Sequence, residues 1–198
     1  MKTKLVIVNI DRSAELLNAP ERFSSAERLI RSKKIKNPLV RAQGLAAELA
    51  LSYALSGEML LPPEYRREKS GKPVIEDGFI SLSHSGRFAV CAYSPVPVGV
   101  DIEIPRPVRA SVKKRLLSAE ELEEWLDGFS LLKRFVIKEA YLKMTGEGVF
   151  GGLSSLTVTG GRIIRGGETA AVCRSFDTDE YFLALVSAED TDTELIEL

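Results

Sequence analysis

The chain twice passes from helix-forming to strand-forming residues, and that order constrains its fold more than any single motif. Leu5-Val-Ile-Val-Asn-Ile10 reads as a buried strand. Ser25–Lys34 and the Ala- and Leu-rich stretch Leu39–Leu55 read as helices. Asn37-Pro38 separates them, because proline fixes φ and has no amide to donate. Leu60–Gly78 is a long polar connection, and loops of this length are often functional. Phe79–Ser83, Phe88–Ser94 and Val98–Ile104 then read as three short strands punctuated by Gly, Ser and Pro. Pro105 and Pro107 end the last of them, which divides the chain into residues 1–104 and 105–198.

The second half repeats the order. Val108–Leu117 reads as helical, and Ser118-Ala-Glu-Glu121 has the capping-box spacing that starts a helix. Leu131–Met144 is the strongest helical stretch, ended by Gly146. Leu156–Thr159 and Arg162–Ile164 flank Gly160-Gly161, a hairpin signal, and Thr169–Arg174 and Tyr181–Val186 add two strands. From Glu189 onward the sequence reads as an acidic tail. The expected class is α+β, in an order that permits a duplicated architecture.

At 198 residues the chain can bury one substantial core or two small fused halves. A formal net charge of −1 gives no global field toward nucleic acid, so a polyanion would need a local patch. Arg28, Arg31, Lys33, Lys34, Lys36 and Arg41 supply one in a stretch without an acid. It is either a solvated face or a landing site for phosphates or an acidic protein. Cys91 and Cys173 lie among strand-like apolar residues and read as buried free thiols. The apolar run Leu5–Val8 is too short for a signal peptide, and no stretch approaches a membrane span. The expected setting is the cytoplasm, with no nucleic acid or membrane partner.

Asp101 and Glu103 are two apart on a predicted strand, so both carboxylates leave one face while Val100, Ile102 and Ile104 take the other. A lone Asp-x-Glu is usually a polar strand face. Here no basic residue adjoins the pair to neutralise it. Oxygen ligands of this kind favour Mg²⁺ or Mn²⁺, and the scarcity of imidazole and thiolate argues against zinc. Glu139 and Lys143 are i,i+4 on the Leu131–Met144 helix. The spacing suits a surface salt bridge, or a third metal ligand or general base beside a cation for phosphate charge. Lys138 should face elsewhere.

His84, the only histidine, stands between Ser83 and Ser85 and before Gly86-Arg87. Hydroxyls, imidazole and open amides suit a phosphate. No Walker-type Gly-x-x-x-x-Gly-Lys-Ser/Thr occurs. Gly71-Lys-Pro73 on the long loop has the residues of a turn, and Glu121 is explained by the capping box alone.

In this order Gly71-Lys-Pro73, Ser81-Leu-Ser-His-Ser-Gly86, Val98-Gly-Val-Asp-Ile-Glu103 and Phe135-Val-Ile-Lys-Glu-Ala-Tyr-Leu-Lys143 resemble the 4′-phosphopantetheinyl transferase superfamily. The likeness is greatest to its longer, surfactin-synthetase-activator type. The family often has Trp where Phe135 stands and Phe where Leu117 stands. The resemblance implies a pseudo-twofold pair of similar α/β halves with the active site in the cleft between them. It implies a monomer that moves the phosphopantetheine arm of coenzyme A onto a serine of an apo acyl or peptidyl carrier protein, releasing 3′,5′-ADP. Asp101, Glu103 and Glu139 would then hold Mg²⁺, with Mn²⁺ as the substitute. Glu139 and Lys143 would be catalytic. Arg41, Lys72, Pro73, Ser83, His84, Gly86 and Arg87 would bind coenzyme A, and Glu121 would assist at the site. The same residues leave three alternatives: a Mg²⁺-dependent hydrolase of coenzyme A or a nucleotide diphosphate, a non-catalytic coenzyme A- or carrier-binding module, and a plain interaction domain.

Overall fold

The computed structural model describes residues 2–69, 71–148 and 152–198. Helices and sheets are mixed, as expected, and the chain separates into two compact units. The first comprises Met1–Pro95 and Thr191–Leu198, the second Val96–Asp190.

In the first unit β1 (Thr3–Asn9) is followed by two short helices, α1 (Ala14–Leu17) and α2 (Ala26–Lys33). The long α3 (Pro38–Ser56) comes next. Ser25 caps α2 by accepting the Arg28 amide. Asn37 caps α3 by accepting from Leu39 and Val40, with Pro38 at the first helical position, where its missing N–H costs nothing. The long connection is not structureless: β2 (Arg66–Arg67) and β3 (Pro73–Val74) pair antiparallel in it. β4 (Phe79–Ser85) and β5 (Phe88–Ser94) form a hairpin closed by Gly86-Arg87, with Gly86 at a φ of 53°. Ala46, Ala47, Ala50 and Ala54 are small enough to let α3 lie close on β1 and β5. Val6, Val8, Ala89 and Cys91 form the sheet side of that core.

In the second unit β6 (Val98–Glu103) leads to the short helices α4 (Lys113–Leu116) and α5 (Ala119–Leu122) and then to α6 (Gly128–Thr145). The helix expected over Val108–Leu117 is only a 3₁₀ turn followed by α4. α6 starts earlier than the apolar pattern indicates, because Asp127 accepts the Ser130 amide at 2.7 Å as its cap. It ends where Gly146 turns left-handed, at a φ of 79°. β7 (Leu156–Thr159), β8 (Arg162–Arg165), β9 (Glu168–Ser175) and β10 (Phe182–Ser187) complete an antiparallel sheet in the order β6-β10-β9-β8-β7. α6 packs on β6 and β10, burying Val136, Ala140 and Met144 against Ala184 and Val186.

Two expectations change. Val98–Glu103 belongs to the second unit, because β6 pairs with β10 over six residues. The units therefore divide at Pro95/Val96 and not near Pro105. The acidic tail is instead a strand, β11 (Thr193–Glu197), parallel to β1 in the first unit's sheet, whose order is β11-β1-β5-β4. Backbone pairing satisfies β1's edge, while Ile196 and Leu198 pack on the core and the acids stay outside.

Candidate functional site

Asp101 and Glu103 project from the same face of β6 as Gly99, and that face lies under α6. At Gly99 the two elements come into close backbone contact. A Cβ there would stand 1.9 Å from the Ala140 carbonyl oxygen and 2.6 Å from the Met144 amide nitrogen. Only glycine lets the helix backbone rest on the strand. Glu139 and Lys143 precede those two contact residues directly, so the contact carries them toward the carboxylates.

Lys143 reaches across to β6, its Nζ 2.6 Å from Asp101 Oδ1. Glu103 is gripped by a guanidinium fork: Arg106 Nη1 lies 2.8 Å from Oε2 and Nη2 3.4 Å from Oε1. The expectation that no basic residue neutralises the two acids is thus corrected. The partners come from α6 and from the segment after Pro105, and neither adjoins the acids in sequence. Glu139 is 8% exposed, and its Oε1 is buried with no hydrogen-bond partner among the described residues. Burial raises its pKa from the ordinary carboxylate value, reinforced by Asp101 and Glu103 and opposed by Lys143. An ionised oxygen left without a donor in such a place is costly. A cation is its natural complement.

Among the described residues no three acidic, histidine or cysteine side chains are gathered closely enough to hold a metal ion as they stand. The donor chemistry nonetheless suits Mg²⁺: carboxylate oxygens only, with one of them orphaned.

Glu121 is not part of this cluster. It is fully buried and satisfied on every side. One oxygen accepts Ser118 N at 3.0 Å and Lys138 Nζ at 2.5 Å, and the other accepts Val158 N at 3.0 Å. Lys138 also donates to the Leu116 carbonyl at 2.7 Å. Lys138 does face away from Glu139, as helical phase requires, and the pair locks α4, α5 and β7 to α6.

The remaining candidates belong to the first unit. His84 lies on β4 itself, not in a turn, and is exposed. Strand alternation sends Ser83 to the opposite, buried side, so the two side chains do not converge. Gly86 and Arg87 form the adjoining turn. Gln43 of α3, not singled out from sequence, donates to the Gly86 carbonyl at 2.8 Å and fixes that turn. Arg87 approaches Asp11 at 3.8 Å. Arg41 is exposed in the first turn of α3. Pro73 opens β3, and Lys72 beside it has its pKa lowered by partial burial, opposed by Glu68.

The basic stretch is not simply solvated either. Arg28 stacks on the Tyr65 ring at 3.5 Å from its centroid and lies 3.2 Å from Glu48, whose carboxylate also accepts the Tyr65 hydroxyl. Both cysteines are buried free thiols. Burial raises both their pKa values, that of Cys173 to about 11. Among the described residues no helix is long and apolar enough to cross a membrane.

Residues 97–186 match the 4′-phosphopantetheinyl transferase superfamily. The 4′-phosphopantetheinyl transferase psf-1 of Bacillus pumilus is 30% identical over 147 residues, which cover 68% of this chain and 63% of that protein. The 4′-phosphopantetheinyl transferase Sfp of Bacillus subtilis (strain 168) is 32% identical over 105 residues, 48% of this chain and 46% of that one. The 4′-phosphopantetheinyl transferase HetI of Nostoc sp. is 29% identical over 143 residues, 63% and 60% of the two chains. The chain thus spans less than two thirds of the length of these relatives.

Proposed function

The chain belongs to the 4′-phosphopantetheinyl transferase superfamily through residues 97–186, and from that premise we propose that it transfers the phosphopantetheine arm of coenzyme A to a serine of an apo acyl or peptidyl carrier protein. The observation that carries the reading is the convergence of Asp101, Glu139 and Lys143 where β6 meets α6, with Glu139 Oε1 buried and unpartnered among the described residues.

Asp101, Glu103 and Glu139 would hold Mg²⁺. Bound there, the ion would neutralise charge on the coenzyme A pyrophosphate. Glu139 has a depleted hydrogen-bond environment and a raised pKa, which suit it to take the proton of the carrier serine. The serine oxygen forms a bond to the phosphorus of the transferred arm. The bond from that phosphorus to the bridging oxygen breaks, and 3′,5′-ADP leaves with the bonding pair. Lys143, a compact cation already beside Asp101, would stabilise charge growing on the leaving phosphate.

Arg41, Lys72, Pro73, Ser83, His84, Gly86 and Arg87 of the first unit are proposed to bind coenzyme A. His84 and Arg87 offer exposed groups for phosphate, while the buried Ser83 would act from its own side of the strand. Duplication is part of the same proposal: each unit carries one long helix packed on a sheet. The reading takes the protein to be a cytoplasmic monomer.

The test is an intact-mass measurement on an apo carrier protein after incubation with the protein, coenzyme A and Mg²⁺. A gain of one phosphopantetheine is expected. It should be lost with chelator, with the carrier serine replaced by alanine, or with Asp101→Ala. Asp101→Ala retaining near-normal transfer would remove the metal assignment. No gain on acyl and peptidyl carriers alike would remove the function.

A further inference from the structure

Two of the three carboxylates proposed for the metal are already held by cations of the protein, and the two holds differ in kind. Lys143 and Asp101 are largely embedded, with side chains 32% and 9% exposed. Arg106 is 57% exposed and takes both oxygens of Glu103 in a fork. Pro105 and Pro107 flank Arg106 and restrict the backbone around it, which keeps the guanidinium within reach of a carboxylate three residues back. Glu139, more than nine-tenths buried, lies within the field of the same charges, and its Oε1 has no partner among the described residues.

A divalent ion that uses Glu103 needs one of the oxygens the fork occupies. Sharing is unfavourable, because a guanidinium and a divalent cation on one carboxylate repel at short range. We infer that a divalent cation enters this site by exchange with Arg106, so that Arg106 sets the affinity of the site for the ion. The inference rests on the metal reading above and adds a residue to it. An exposed ion pair is weak, so the fork can open to water at little cost while the ion takes its place. Lys143 cannot leave in that way, since its partner is buried. Arg106 is therefore the cation that yields.

Removing the competitor should strengthen metal binding, the opposite of what losing a structural residue would do. Free Mn²⁺ is followed by its electron paramagnetic resonance signal as the full-length protein is titrated, without coenzyme A, and the fold is checked by circular dichroism. Arg106→Gln should bind Mn²⁺ roughly threefold tighter than wild type, the scale of one exposed ion pair. Arg106→Lys keeps the charge but loses the fork and should fall between the two. Asp101→Asn should lose uptake. Arg106→Gln binding no tighter than wild type, while Asp101→Asn still abolishes uptake, overturns the inference alone. Folded wild type that takes up no Mn²⁺, or Asp101→Asn that takes it up normally, overturns the metal reading and this inference with it.

Discussion

Lys138 and Glu139 are neighbours on α6, yet they belong to two acid–base clusters of opposite character. Lys138 meets Glu121, both fully buried, and every polar atom of that carboxylate is answered by an amide or the ammonium. Glu139 turns toward Asp101, Glu103 and Lys143 and keeps an oxygen with no partner among the described residues. Residue type does not separate the two, since each joins a lysine to a carboxylate, Lys138 to Glu121 and Lys143 to Asp101. What separates them is closure. A buried network whose bonds are all made is a joint between elements, whereas one that leaves an atom unanswered keeps room for a ligand.

The comparison breaks most visibly at Lys138. Removing one partner of a buried pair leaves the other charge uncompensated, so Lys138→Met should cost about 3–5 kcal/mol in urea unfolding. Adding Glu121→Gln should recover part of that loss, because the amide oxygen can still accept from Ser118 or Val158. A loss below about 1 kcal/mol in the single variant would mean the pair is not the closed joint described.

Gly99 sharpens the comparison from the open side. A methyl at that position would overlap the backbone of α6. Gly99→Ala should therefore cost about 1–3 kcal/mol as overpacking, and shift Glu139 and Lys143 off Asp101. Mn²⁺ uptake should fall more than stability does. Uptake that survives intact in a destabilised protein would show that the contact at Gly99 does not position the cluster.

Much of this was legible before the fold. The spacing of Asp101 and Glu103 placed both on one strand face. The i,i+4 relation of Glu139 and Lys143 placed both on one helix face, and Lys138 was set apart by phase. What the sequence pattern could not carry was contact across the chain. Lys143 meets an acid 42 residues away, and Glu121 meets a lysine 17 away. Arg106 was within reach of attention, three residues past Glu103, but Pro105 between them reads as a break and not as a turn that brings a side chain back. Ser83 and His84 looked like one polar cluster because they are adjacent. Adjacency on a strand means opposite faces. The final strand was missed because its acids outweigh Leu195, Ile196 and Leu198 in composition, while the edge of β1 that it completes lies at the other end of the chain.

The smallest expected effect is the most discriminating. With chelator present, Glu139→Gln removes a buried charge that has an unanswered oxygen, so it should stabilise the protein at pH 7 by about 1 kcal/mol, the low end of the cost of such a group. Its pH dependence follows from the raised pKa of Glu139. A carboxyl whose folded pKa lies above its unfolded value of 4.5 contributes stability that is full below 4.5 and is lost as pH rises through the folded pKa. Glutamine carries no such charge at any pH. The advantage of the variant should therefore be absent below 4.5 and grow as pH rises from there, read as the difference in thermal midpoint across a pH series. Transfer activity should be lost at every pH, because glutamine neither takes the proton nor offers a charged ligand. A variant less stable than wild type at pH 7, or a difference that does not change with pH, would place Glu139 with Glu121 as part of a closed joint and remove the distinction between the two clusters.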